Sequence, residues 1–125
     1  MLSLPPSTRV FVATKPTDMR KSFDGLIGAT RAVIGEDPLS GHMFVFVNRK
    51  ANLAKVLYWQ RGGYCLWAKR LEQGRFASVR QDARAVAMTD TQLLMWLDGI
   101  EVARTKQRKR FVLPTSAIAS ATIGT

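Results

Sequence analysis

Cysteine occurs once in this chain, at Cys65, and histidine once, at His42. A single thiol permits no intramolecular disulfide, so the fold depends on its core, and an oxidising compartment gains no support. Acidic residues are scarce too, 9 Asp and Glu against 19 Lys and Arg. No set of His, Cys and carboxylate stands at metal-ligand spacing, so neither a metal nor another cofactor is expected. A Gly-rich phosphate loop of the P-loop or dinucleotide kind is missing. No apolar run approaches the ~20 residues of a membrane-spanning helix. The opening Met1-Leu2-Ser3-Leu4-Pro5-Pro6 lacks the charged and apolar regions of a signal peptide. A soluble, cytoplasmic protein is the expectation.

What the chain has is positive charge on an ordinary globular composition. Its 125 residues suit one domain, and 46% apolar residues suffice for a core. The net charge of +10 repels itself in a compact fold, which points to a partner that profits from it. Nucleic acid is the commonest such partner, ahead of an anionic membrane or an acidic protein.

Patterning predicts the elements. Arg9 to Ala13 reads as a short strand. Thr17 or Asp18 is placed to cap a long helix, with Met19, Phe23, Leu26, Ile27, Thr30 and Ile34 on one face and Gly35 as terminator. Gly25 and Gly28 weaken that helix and suggest close packing against a sheet. The loop from Asp37 to Gly41 leads into Met43–Val47, a continuously apolar run fit for a central strand. Lys55 to Gln60 and Tyr64 to Leu71 form a hairpin about Gln60-Arg61-Gly62-Gly63, which supplies the positive φ of a tight turn. Ala85 to Met88 is one more short strand. Thr89 caps a short helix carrying Leu93, Leu94, Trp96 and Leu97, with Gly99 to stop it.

Several groups of cations are candidate nucleic-acid contacts. The run Arg104, Lys106, Arg108, Lys109 and Arg110 is dense enough to neutralise phosphates and release their counterions; the plainer reading is a solvated tail. Arg49 and Lys50 lie in one turn, and Lys69, Arg70 and Arg75 return towards it if the strands pair in order. Together they would make a patch for phosphate positioning without sequence readout, unless they form only a scattered solvated rim. Arg20 and Lys21 fall in the expected first helical turn, where cations oppose the dipole, so contact with a phosphate at that helix start would account for them. Balance by Asp18 and Asp24 accounts for them equally.

Trp59, Tyr64, Trp67 and Trp96 fall in apolar periodic segments, where core packing outranks stacking on unpaired bases. Tyr58 and Trp59 are adjacent in a strand, so one of them points away from the other's face and is the candidate for stacking. His42, the single histidine, is best read as a hydrogen-bonding residue at a strand start. No catalytic residue is expected.

The motifs also carry a likeness. Thr17-Asp18-Met19-Arg20-Lys21 with Phe23-Asp24-Gly25-Leu26, then Asp37-Pro38 with Ser40-Gly41-His42-Met43-Phe44-Val45-Phe46, come first. Lys55-Val56-Leu57-Tyr58-Trp59, Cys65-Leu66-Trp67-Ala68-Lys69-Arg70-Leu71-Glu72 and Gly74-Arg75-Phe76 follow in order. Across roughly Leu4 to Glu101 the chain resembles the TnpB family, the second-open-reading-frame accessory proteins of insertion sequences of the sixty-six type. Ser22 stands where a glycine is expected, and the tail beyond Arg104 looks poorly shared. The resemblance implies a role in DNA transposition beside a separately encoded transposase, and no chemistry of its own.

The expected fold class is therefore α+β: an antiparallel sheet of four to five strands, one long helix packed on it, and a short C-terminal helix. Residues 1–102 would form the globular domain and 103–125 a basic, flexible tail. The expected function is a non-enzymatic accessory factor binding DNA at the transposon ends, the transposase, or both, with no membrane partner. Two alternatives stand beside it. One is a protein adaptor without DNA contact. The other is a small metal-independent ribonuclease, which requires His42, Tyr58 or Tyr64, and two cations in one cleft.

Overall fold

The computed structural model describes residues 7–79 and 81–98. Five strands form one sheet: β1 (Val10–Ala13), β2 (Met43–Val47), β3 (Leu53–Gln60), β4 (Gly63–Arg70) and β5 (Ala85–Met88), in the order β4-β3-β2-β1-β5. The fold is α+β, but the sheet is mixed. β1 and β2 run parallel, with Val10 opposite Met43, while the other neighbours are antiparallel. The expected all-antiparallel sheet is thus corrected, and the reason lies in the connection from β1 to β2. It contains a helix, and a helical crossover returns the chain in the same direction.

That helix is the second correction. It is short, beginning as α1 (Phe23–Ala29) and continuing into π-helical turns over Thr30–Ile34. The residues expected to start it are held otherwise. Asp18 accepts a hydrogen bond from the Arg20 backbone N–H at 2.9 Å, and the Lys21 N–H donates to the Asp18 carbonyl, closing a turn. Lys55 Nζ then donates to the carbonyls of Met19 and Lys21, both at 2.9 Å, which takes those acceptors away from any helix. Further on, the Thr30 hydroxyl donates to the Leu26 carbonyl at 2.9 Å, and the Gly35 N–H reaches back five residues to Thr30. A side chain entering the ladder in this way favours the wider turn. Gly35 ends the segment in the left-handed conformation, φ 82°, with the Arg84 guanidinium filling the space a Cβ would need. Gly25 and Gly28 do not approach the sheet: Gly25 lies under the Lys21 side chain, and Gly28 faces open space.

Both faces of the sheet are covered. On one face Leu26, Ala29 and Ile34 of the helix pack on Ala13, Phe44, Phe46 and Leu57. On the other, α2 (Asp90–Leu97) and the segment after β4 bring Leu93, Trp96, Leu97, Leu71, Phe76 and Val79 onto Val10, Val12, Val45, Val56 and Tyr58. This explains the unbroken apolar run of β2, whose alternate residues enter opposite cores. Trp96 is a hub of the second core: its ring stacks on Phe76 at 4.9 Å and its Nε1–H donates to the Ala77 carbonyl at 2.9 Å. α2 opens with a capping box, Thr89 accepting from the Gln92 N–H and the Gln92 side chain accepting from the Thr89 N–H. The expected stop at Gly99 lies outside the described residues.

Candidate nucleic-acid interface

The turn between β2 and β3 is built by Asn48. Its Oδ1 accepts from the backbone N–H groups of Asn52 (2.9 Å) and Leu53 (3.1 Å), its Nδ2 donates to Asn52 Oδ1 (2.6 Å), and Ala51 takes a positive φ of 58°. With both asparagines turned inwards, Arg49 and Lys50 stand outside, exposed at the tip. The segment after β4 is fastened to the same turn. The Leu71 N–H donates to the Asn52 carbonyl and the Phe76 N–H to the Ala51 carbonyl, each at 2.7 Å. Arg70 ends β4 opposite Leu53, and exposed Arg75 precedes the anchored Phe76.

Arg49, Lys50 and Arg70 therefore line one open concavity of about 590 Å³, together with Pro16, Thr17, Asp18, Asn48, Asn52 and Leu53. A neighbouring hollow of about 170 Å³ shares Pro16, Asn48 and Arg49 with it and adds Lys15, Phe76 and Trp96. Thr17 is fixed on the rim by its N–H bond to the Val47 carbonyl at 2.8 Å. Asp18 is the acidic member of the lining. Arg20 grips it through both Nε and Nη2, the latter at 2.6 Å, and the guanidinium's hydrogen bonds hold the Asp18 carboxyl well below the usual carboxylate range. Charge at the concavity is thus three cations plus a neutralised Asp18–Arg20 pair.

The other expected contacts fall differently. Arg20 and Lys21 precede the helix rather than lying in its first turn, and Arg20 is engaged with Asp18. Lys69 is separated from Arg70 because successive strand residues face opposite sides. Its Nζ crosses to α2, bonding the Leu97 carbonyl and Asp98 Oδ1 at 3.2 Å each. Arg70 meets Glu72 at 3.2 Å, with both side chains largely exposed, a pair of little strength. Arg104, Lys106, Arg108, Lys109 and Arg110, with the rest of the expected tail, lie outside the described residues.

Sequence reasoning passed over Asn48, Asn52 and Lys55, whose hydrogen bonds position the turn and the segment before the helix. Their signal was present as an Asn-Arg-Lys-Ala-Asn turn between two strands, since asparagine side chains supply turn hydrogen bonds. Among the aromatics, Tyr58 is buried in one core and Trp96 wholly so, while Trp59 turns to the opposite face and meets Tyr64 edge-to-face at 5.0 Å. Burial, and secondarily Cys65 across the strand pair, pushes the Tyr58 phenol up.

His42 precedes β2, where its Nδ1 accepts from the Arg9 N–H at 3.0 Å and its ring meets Phe11 edge-on. It stands at the end of β2 away from Arg49 and Lys50. The ribonuclease alternative requires histidine and basic concavity to converge, and they lie at opposite ends of β2. Among the described residues no group of three or more His, Cys, Asp and Glu is clustered to hold a metal ion. No described helix is long and apolar enough to cross a membrane.

Comparison with known proteins bears on the same stretch. The profile of the family described as IS66 Orf2 like protein matches residues 8–107. The uncharacterized protein y4hO of Sinorhizobium fredii is 39% identical over 101 residues, covering 81% of this chain and 88% of that protein. The uncharacterized protein y4jC of the same organism is 29% identical over 100 residues, covering 80% and 86%. No solved structure matches the chain. With the matched region spanning every described element and ending inside the basic run, the chain belongs to the IS66 Orf2 like family, a membership that points to an accessory role in transposition.

Proposed function

We propose that this protein is a non-enzymatic accessory factor of transposition that holds DNA at its basic end. The observation that carries the reading is the meeting of Arg49 and Lys50 with Arg70 around one open concavity, with Arg75 beside it. Three to four cations gathered around a hydrogen-bonded turn suit phosphate contacts, which position a protein on nucleic acid without reading its sequence. The basic run from Arg104 to Arg110 would add to the same electrostatic grip. The net charge of +10 supplies long-range attraction to a polyanion. The test is a band shift on the element's terminal DNA, comparing the full chain with one ending before Arg104, with and without transposase. Retarded DNA with the full chain, and weaker retardation with the shortened one, is expected. No shift by the full chain under low salt, in either arm, would contradict the proposal.

A second reading, as an adaptor for the transposase, is favoured by one observation. Leu94 and Met95 are consecutive on α2 and stand at 46% and 51% exposure, which gives that helix an exposed apolar spot. This reading expects co-purification with transposase that survives nuclease treatment and is lost on Met95→Glu.

A further inference from the structure

The two edges of the sheet are unlike. β5 is only four residues long, which blunts its edge, whereas β4 is an eight-residue edge strand, Gly63–Arg70, with neither proline nor bulge. Natural sheets guard such edges with charge, proline or brevity, because unpaired N–H and C=O groups are a template for another strand. Here charge is confined to one end, at Lys69 and Arg70, and Tyr64, Cys65, Leu66 and Trp67 are all only half-buried. Among the described residues no strand pairs with the outer side of β4.

Hydrogen-bond parity specifies what fits that edge. The hairpin turns through Arg61 (φ 52°) and Gly62 (φ 80°), a two-residue primed turn closed by the pair Gln60–Gly63. Antiparallel pairs alternate, so Gly63, Cys65, Trp67 and Lys69 bond inward to β3, as the Leu71 N–H to Asn52 carbonyl bond continues to do. Tyr64, Leu66, Ala68 and Arg70 therefore direct their backbone groups outward. An antiparallel strand that engages all four, and keeps each sheet face continuous, is β4 itself turned about a twofold axis at Trp67. Tyr64 then stands opposite Arg70 of the second copy and Leu66 opposite its Ala68, while Cys65 stands opposite its Lys69 and Trp67 opposite Trp67. No cation faces a cation in this register. Each Arg70 lies instead across from an aromatic ring, and the two Trp67 rings meet at the axis, both favourable cross-strand pairs.

We propose that two copies of this chain pair through β4 in this register, joining their sheets into one. The twofold sets the two basic concavities at opposite ends of the joined sheet, giving a pair of copies two separated grips for a polyanion. That consequence rests on the DNA reading; the pairing does not. With +10 on each copy, pairing strengthens as salt screens the repulsion, the opposite of the trend for DNA binding.

Sedimentation equilibrium of the full chain at about 0.3 M salt, where screening is short-ranged, should give twice the 13.9 kDa of one chain. Ala68→Pro removes an outward N–H and leaves the inward ladder intact; it should weaken association more than tenfold, while Ala68→Val does not. Lys69→Cys should link two copies covalently through native Cys65 under mild oxidation, while the native chain, whose Cys65 does not face itself, stays unlinked. This cross-link decides the matter if Ala68→Pro fails to fold. A monomer at that salt, association indifferent to Ala68→Pro, or no cross-link from Lys69→Cys would each overturn the proposal.

Discussion

Asn48 does more for the basic concavity than any of the cations in it. Its side chain satisfies two backbone N–H groups of the turn and pairs with Asn52, all part-buried. Asn48→Ala leaves those donors without their partner, at a cost of about 1–3 kcal/mol. Chemical denaturation should register that loss, and DNA affinity should fall although no charge has changed. Asp18 invites the converse experiment. Asp18→Asn removes the acid from the lining and releases Arg20, whose side chain is 90% exposed. One more cation then meets phosphate, and the log–log dependence of DNA affinity on salt should steepen by ~1. Asp18 also titrates unusually. Because Arg20 depresses its pKa in the folded state, its contribution to stability is present above the ordinary carboxylate value and is lost only as pH falls through the depressed one. An NMR titration of its carboxyl should show no inflection near ~3.9, the unperturbed value.

At the scale of elements, the sequence was most legible where local chemistry decides the outcome. The hairpin at Arg61–Gly62, the apolar β2, the short β5, the left-handed Gly35 and the Thr89 cap all stand where pattern and turn residues put them. The helix start was not legible, because Lys55, distant in sequence, captures the carbonyls of Met19 and Lys21. Pairing direction was not legible from strand count alone, because the helical crossover between β1 and β2 makes that pair parallel. Of the site, the Arg49–Lys50 turn and its approach by Arg70 could be read from strand order. The parting of Lys69 from Arg70 follows from strand alternation, but which face each takes needs the fold. Gly28 offers a test of the helix. It is helical and meets nothing within 4 Å of a built Cβ, so Gly28→Ala should raise stability by about 0.5–1 kcal/mol, read as a higher melting temperature. Tyr58 tests the β3–β4 pair. Its raised pKa means that stability is full below the unfolded value of about 10 and is lost as pH climbs from there through the folded value. Tyr58→Phe should flatten that alkaline decline in denaturation midpoints.

For the whole molecule, two cores on opposite faces of one sheet make a stiff plate whose basic end is set by three chain segments. Trp96 links plate and site, since it anchors the segment that carries Phe76 and Ala77 along the hollow beside the concavity. The central claim is that the end defined by Arg49, Lys50 and Arg70 grips the DNA backbone. Affinity for the element's terminal duplex, measured across a salt series with the native chain and with Arg49→Ala/Lys50→Ala/Arg70→Ala, tests it most directly. Three lost phosphate contacts should lower the magnitude of the log–log slope by ~3 and weaken binding at low salt by orders of magnitude. A triple variant that keeps its fold, its affinity and its slope would contradict the claim.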